Sequence, residues 1–265
     1  MNSCRLRLVF VFFCSFIFLS ACTTSHFQSN LDDEKITSGN PEVQRRAALR
    51  MQLAIEYYQQ GQFKLALEEI RHVVTISPKL ADAYSLRALI QMEMKDFPRA
   101  EENFLYALNL EPMNSEIMNN YAWFLCQNGR EKLSIPYFEK VLNDRNYLTP
   151  VKALMSAGVC SLRLKDIAAA ERYFVLGSQI QPANPSINAN LAKIYFDRGE
   201  YAKARPFIQR VLKEEIFAAD VLWLAIKIDQ KLGDQESVKG LATQLRRRHP
   251  GSVEFALFQK GAFNE

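Results

Sequence analysis

The residues of this sequence that could do covalent or coordination chemistry are its five cysteines and three histidines. Cys4, Cys14 and Cys22 crowd the N-terminus, whereas Cys126 and Cys160 lie in the body of the chain. Two thiols can close a disulfide, and thiols beside imidazoles can bind a metal or form a nucleophile–base couple. His26, His72 and His249 form no metal-ligand spacing with one another or with the thiols. The sequence has no glycine-rich phosphate loop and no nucleophile elbow. Asp32-Asp33-Glu34 reads as a solvated acidic stretch, and Glu68-Glu69 and Glu101-Glu102 read as exposed helix faces. These observations argue against an enzyme, a metal site or a bound cofactor. The chemistry left to account for is that of the cysteines.

Cys22 stands at an abrupt boundary. The apolar run from Leu8 to Leu19 follows Arg5 and Arg7 and ends in the small residues Ser20 and Ala21. It is shorter than the roughly 20 residues a membrane-spanning helix needs. A basic start, a short apolar core and a small-residue exit are the parts of a secretory signal, here 1–21. Leu19-Ser20-Ala21-Cys22 is similar to the lipobox of bacterial lipoproteins, which are cut before the cysteine and acylated on it; an ordinary signal with an incidental Cys22 is the alternative. Two or more acyl chains hold a protein stably on a membrane. Thr23 stands where those lipoproteins carry an inner-membrane retention aspartate, so the expected location is the periplasmic face of the outer membrane. Losing Arg5 and Arg7 leaves 31 of the 33 basic residues beside 29 acidic ones. That balance gives no electrostatic case for nucleic acid. Arg246-Arg247-Arg248-His249 reads as a solvated helix end, with a lipid-headgroup or partner contact as the alternative.

The thiols at 126 and 160 must be positioned by whatever elements the rest of the chain forms. Ala, Leu, Glu, Lys, Arg and Gln dominate and glycine is sparse, so those elements are helices. Pro78 and Pro112 are 34 residues apart, and Pro182 and Pro250 are separated by twice that. Thirty-four residues per helix–turn–helix is the tetratricopeptide period. The frame cuts the chain into 47–80, 81–114, 115–148, 151–184, 185–218 and 219–252, within a repeat domain covering 41–265. The eighth place, where two helices cross closely, reads Ala54, Ala88, Ala122, Gly158, Ala192 and then Ile226. The twentieth reads Ala66, Ala100, Ser134, Ala170, Ala204 and then Val238. The twenty-fourth, which fills the gap, reads Ile70, Phe104, Phe138, Phe174, Ile208 and then Ala242. The sixth unit breaks the pattern as a terminal unit does. The fold predicted is all-α: twelve helices in six antiparallel pairs, stacked as a right-handed superhelical solenoid, with 253–259 able to form a capping helix. Residues 22–40 are polar and aperiodic and read as a disordered tether.

The concave face of such a solenoid binds other proteins. Tetratricopeptide units present their second, fifth, ninth, twelfth and thirteenth places there. These places give Met51, Ile55 and Tyr58 in unit one, Leu89 and Met92 in unit two, Trp123 in unit three and Met155 in unit four, an apolar strip suited to adaptable peptide contact. Lys193, Phe196, Trp223, Lys227 and Lys231 follow. About two thirds are expected to be accessible, the rest packing between helices. Met51 and Ile55 occupy places where chaperone-binding repeats clamp a C-terminal carboxylate, and cannot do so. Cys126 is at the twelfth place of unit three and Cys160 at the tenth of unit four, on neighbouring helices. Either they form a disulfide, which needs Cα atoms roughly 4.4–6.8 Å apart, or they are two buried thiols.

Signal, lipobox, tether and six units, together with Asn119-Asn120-Tyr121-Ala122-Trp123-Phe124-Leu125 and Pro250-Gly251-Ser252-Val253-Glu254-Phe255, resemble the type IV pilus biogenesis lipoproteins of the PilF/PilW family. The resemblance implies a pilotin, monomeric when free, that escorts the pilus secretin to the outer membrane and promotes its multimerisation. Met51, Ile55, Tyr58, Leu89, Met92 and Trp123 are the expected secretin contact. A lipoprotein adaptor for cell-wall or envelope-assembly enzymes is the alternative.

Overall fold

The computed structural model describes residues 41–263. The expected signal peptide over 1–21, the expected lipidation of Cys22 and the expected tether over 22–40 lie outside the described residues. The described residues belong to one compact unit of thirteen helices. Six pairs follow one another: α1 (Pro41–Gln59) with α2 (Phe63–Ile76), α3 (Ala81–Glu93) with α4 (Phe97–Leu110), and α5 (Ser115–Gln127) with α6 (Glu131–Asn143). Then come α7 (Pro150–Arg163) with α8 (Ile167–Ile180), α9 (Pro185–Asp197) with α10 (Tyr201–Lys213), and α11 (Ala219–Leu232) with α12 (Gln235–Arg248). The last helix, α13 (Val253–Gln259), closes the stack. This is the all-α tetratricopeptide solenoid predicted, with two local differences at the starts. Helix α1 begins ahead of the repeat frame, and Pro150 is the first residue of α7 rather than a spacer, its fixed φ suiting the first helical turn.

Each pair is locked by the small–small–large triad. Ala88, Ala100 and Phe104 are all fully buried, as are Ala54, Ala66 and Ile70 in unit one and Ala122, Ser134 and Phe138 in unit three. Methyl-sized side chains let two helix backbones approach, and the large residue one turn further on fills the wedge that remains. Unit four takes this furthest. A Cβ added at Gly158 would fall 2.6 Å from the Phe174 ring. In unit six the sizes exchange: Ile226 and Val238 are large and Ala242 is small, yet all three are buried together. The bulk moves from the twenty-fourth place to the eighth and twentieth, a redistribution of apolar volume that a core can accommodate by repacking. Phe255, Leu257 and Phe258 of α13, with Phe263, pack on the core of this unit.

The turns follow the sequence. Gly61, Gly129, Gly199 and Gly233 adopt positive φ, and Lys95 and Lys165 take the same left-handed conformation in units two and four. Asp96 and Asp166 then cap α4 and α8 by accepting from the amides of Arg99 and Ala169. Units three and five lack the closing proline, and α6 and α10 end one place earlier than their counterparts. Both carry an internal proline instead, Pro136 and Pro206. Each removes an amide donor from its helix, and both lie on exposed faces where water can hydrate the freed carbonyl.

Ion pairs join successive units. Glu101, at the twenty-first place of unit two, pairs with Arg130 of unit three at 2.6 Å. Glu171, at the same place of unit four, pairs with Arg198 of unit five. In unit five the sign reverses: Arg205 pairs with Asp229 at 3.0 Å and with Asp234, both in unit six. The Tyr121 hydroxyl donates to Glu101 at 3.3 Å. Burial, helped by the neighbouring carboxylate, pushes the Tyr121 phenol up to about 12.

Cys126 of α5 and Cys160 of α7 are joined by a disulfide with Cα atoms 5.8 Å apart, inside the range a bridge requires. Both residues are fully buried.

Two outcomes follow for stability. Gly158→Ala should lower the urea midpoint, because overpacking against Phe174 costs about 1–3 kcal/mol against the ~1 kcal/mol that alanine gains over glycine in a helix. Adding Phe174→Leu should restore part of the loss. The pair Cys126→Ser and Cys160→Ser should cost about 3–4 kcal/mol from the released chain entropy of the loop. Reductant should lower the melting temperature of the native protein and leave that of the double variant unmoved.

Candidate protein-binding groove

The first helix of each pair faces the concave side. The triad residues are spent on packing, so the face turned inward is drawn from the remaining positions of α1, α3, α5, α7 and α9. Together they enclose a groove of about 600 Å³. Tyr58, Leu89, Trp123, Met155 and Val159 supply its apolar lining. Four of the seven residues assigned to the groove from sequence are thus brought into one concavity: Tyr58, Leu89, Trp123 and Met155.

The other three are not. Met92 is a correction: it is 8% exposed and packs with Ala88, Phe104, Tyr121 and Phe124. Its twelfth place leans on the following unit, and the bulky α5 residues there swallow it, as the same place is swallowed at Cys126. Met51 and Ile55 are half-buried against the core of unit one and lie outside the lining of this concavity. Trp223, placed on the concave face by its fifth position, is 5% exposed. The Phe263 ring packs against it, tilted by 30° with ring centres 5.5 Å apart, so the C-terminal segment has turned a groove position into core.

Polar side chains that an apolar reading of the groove passed over line its floor. Asn119 occupies the fifth place of unit three, the place of Met51 and Met155, and lies in the same groove with Asn120, Ser156 and Asn190. Asn120 Nδ2 donates to Ser85 Oγ at 3.3 Å, and Asn120 Oδ1 accepts from Lys152 Nζ at 3.1 Å. Lys152 also pairs with Glu116. The groove is therefore an apolar trough with a charge-balanced polar track. Place arithmetic alone could have found Asn119, had polar types been kept at the fifth position.

A second hollow of about 400 Å³ lies further along and includes Lys193, Trp223, Lys227 and Glu254. The Lys227 ammonium sits 5.1 Å from the Phe196 ring centre and 5.5 Å from that of Trp223. Burial and then the charge of Lys193 lower its pKa, against the opposing pull of Asp197. Lys193 is held by Asp197. Among the described residues no group of three His, Cys, Asp or Glu side chains could hold a metal. This geometry is that of a binding surface.

Comparison with known proteins gives the same architecture. Models of the tetratricopeptide repeat match residues 47–80, 85–147 and 161–215. The type IV pilus assembly protein PilF of Pseudomonas aeruginosa is 27% identical over 91% of this chain and 93% of its own. The crystal structure of PilW, described as a widely conserved type IV pilus biogenesis factor, superposes with a TM-score of 0.72. It is 31% identical, covering 80% of this chain and 98% of that one. The Pseudomonas aeruginosa PilF structure superposes with a TM-score of 0.77 at 25% identity, covering 83% of this chain and 99% of that one.

The chain's two tryptophans give a direct check of the groove. Acrylamide should quench two populations, one open (Trp123) and one shielded (Trp223). Trp123→Phe should abolish the open one alone; a quenchable component persisting in that variant would place Trp123 out of the groove.

Proposed function

The chain belongs to the PilF/PilW family of tetratricopeptide proteins of type IV pilus biogenesis, and from that premise we propose that it is a pilotin. In this reading it binds the pilus secretin through its concave groove and brings the subunits to the outer membrane, where they multimerise. The observation that carries the proposal is the trough itself: an apolar strip open to solvent, running across α1 to α7 with Leu89 and Trp123 at its centre. Apolar surface of this kind is stabilised by covering it, and a secretin segment that is greasy before assembly is a fitting cover. The Leu19-Ser20-Ala21-Cys22 stretch supports the membrane half of the reading: acyl chains on Cys22 would supply the address, and the groove the grip.

The test separates those two parts. In cells lacking this protein, heat-resistant secretin multimers should disappear from the outer-membrane fraction and twitching should stop. Leu89→Glu with Met155→Glu should keep the helical spectrum but fail to restore multimers, because burying a carboxylate in the contact weakens it by roughly ten-fold or more. Cys22→Ala should restore multimers at the wrong membrane. Normal multimers in the absence of the protein would end the pilotin reading and favour an envelope-assembly adaptor.

A further inference from the structure

The groove floor holds an unpaired group. Asn119 is 1% exposed, and neither its Oδ1 nor its Nδ2 has a hydrogen-bond partner. Buried polar atoms are normally paired, and an unpaired one costs stability. Its neighbours are not in this position: Asn120 is bonded to Ser85 and Lys152, and Asn190 donates to the Ser186 carbonyl at 2.8 Å. Asn119 precedes Trp123 by four residues on α5, so the two share one helix face. Both line the apolar trough.

The geometry points to Asn119 as a main-chain clamp: the groove takes an internal segment of a partner in extended form, and the Asn119 amide pairs with one of its peptide groups. This rests on the reading that the groove holds a partner segment, and it names the chemistry of that segment. A primary amide offers a donor and an acceptor side by side, the complement of a peptide N–H and C=O. The terminal torsion of asparagine is broad, so a modest turn presents the amide edge to the groove. Leu89, Trp123 and Met155 would receive apolar side chains flanking the clamped peptide group. Lys152, the cation of the polar track, is already engaged by Glu116 and Asn120. The groove is therefore built for a backbone within a chain, not for a terminal carboxylate.

The test uses the full chain and N-acetylated, C-amidated, fluorescein-labelled decapeptides tiled across the periplasmic part of the cognate secretin. The tightest binder should bind as well capped as it does with a free C-terminus. Methylating one of its backbone nitrogens should weaken it about ten-fold, the scale of a lost hydrogen-bond pair. Asn119→Leu should weaken the unmodified peptide by a similar factor and abolish the effect of methylation, while melting no lower than the native protein. Asn119→Ala serves as the second variant should leucine fail to fold. Several results would overturn the clamp: binding by Asn119→Leu equal to the native protein's, a methylation penalty that survives in the variants, or a strong preference for the free carboxylate. Displacement by a peptide of residues 23–40 of this chain, tighter than by any secretin peptide, would also overturn it, by making the occupant internal. Each of these leaves the pilotin reading standing, whereas normal secretin assembly in cells without the protein defeats that reading itself.

Discussion

The close crossing of paired helices is the constraint on which the rest of this molecule depends. In units one to five the eighth and twentieth places carry only Gly, Ala or Ser, and a bulkier side chain there would push the helices apart and cost the aromatic or isoleucine at the twenty-fourth its socket. Spacing within a pair sets the spacing between pairs, because each pair has only its neighbours to lean on. The curvature that makes a groove is thus inherited from the smallest residues. Gly158 marks the limit of this economy, where even a methyl is too much.

The same constraint explains what could be read from the sequence. A triad repeated at a fixed period is visible without coordinates, since it depends on helix geometry and side-chain size alone. The six pairs and the terminal irregularity were legible in this way. Groove membership was less so, because exposure at a fixed place depends on what the next unit brings. Met92 fell to the bulk of α5 and Trp223 to Phe263, and neither neighbour is implied by position. The fifth place alone puts Asn119 in the groove, but the lack of a partner for its amide is something no spacing reveals. Pro136 and Pro206 sat in plain view but run against propensity, tolerated only because they face water.

Order among near-identical units needs a further device, since apolar stacking alone distinguishes neighbours weakly. The charged pairs at the twenty-first place supply one. Carboxylates project from units two and four to arginines ahead of them, while unit five projects an arginine to two aspartates. Asp229 and Asp234 of unit six are thereby matched in charge to Arg205 of unit five. The Glu101–Arg130 and Glu171–Arg198 pairs are partly exposed and each worth about 1 kcal/mol or less, whereas the Asp229 partner of Arg205 is buried.

The disulfide joins α5 to α7, the helices that also carry Asn119, Trp123, Met155 and Val159. A stack of units held only by nearest neighbours frays from its free ends, and a staple at the middle turns one long zipper into two short ones. Fluctuations that begin at either terminus then stop short of the groove floor. The bridge fixes the distance between α5 and α7, and with it the width of the groove's central section, by a covalent link that the other units lack among the described residues.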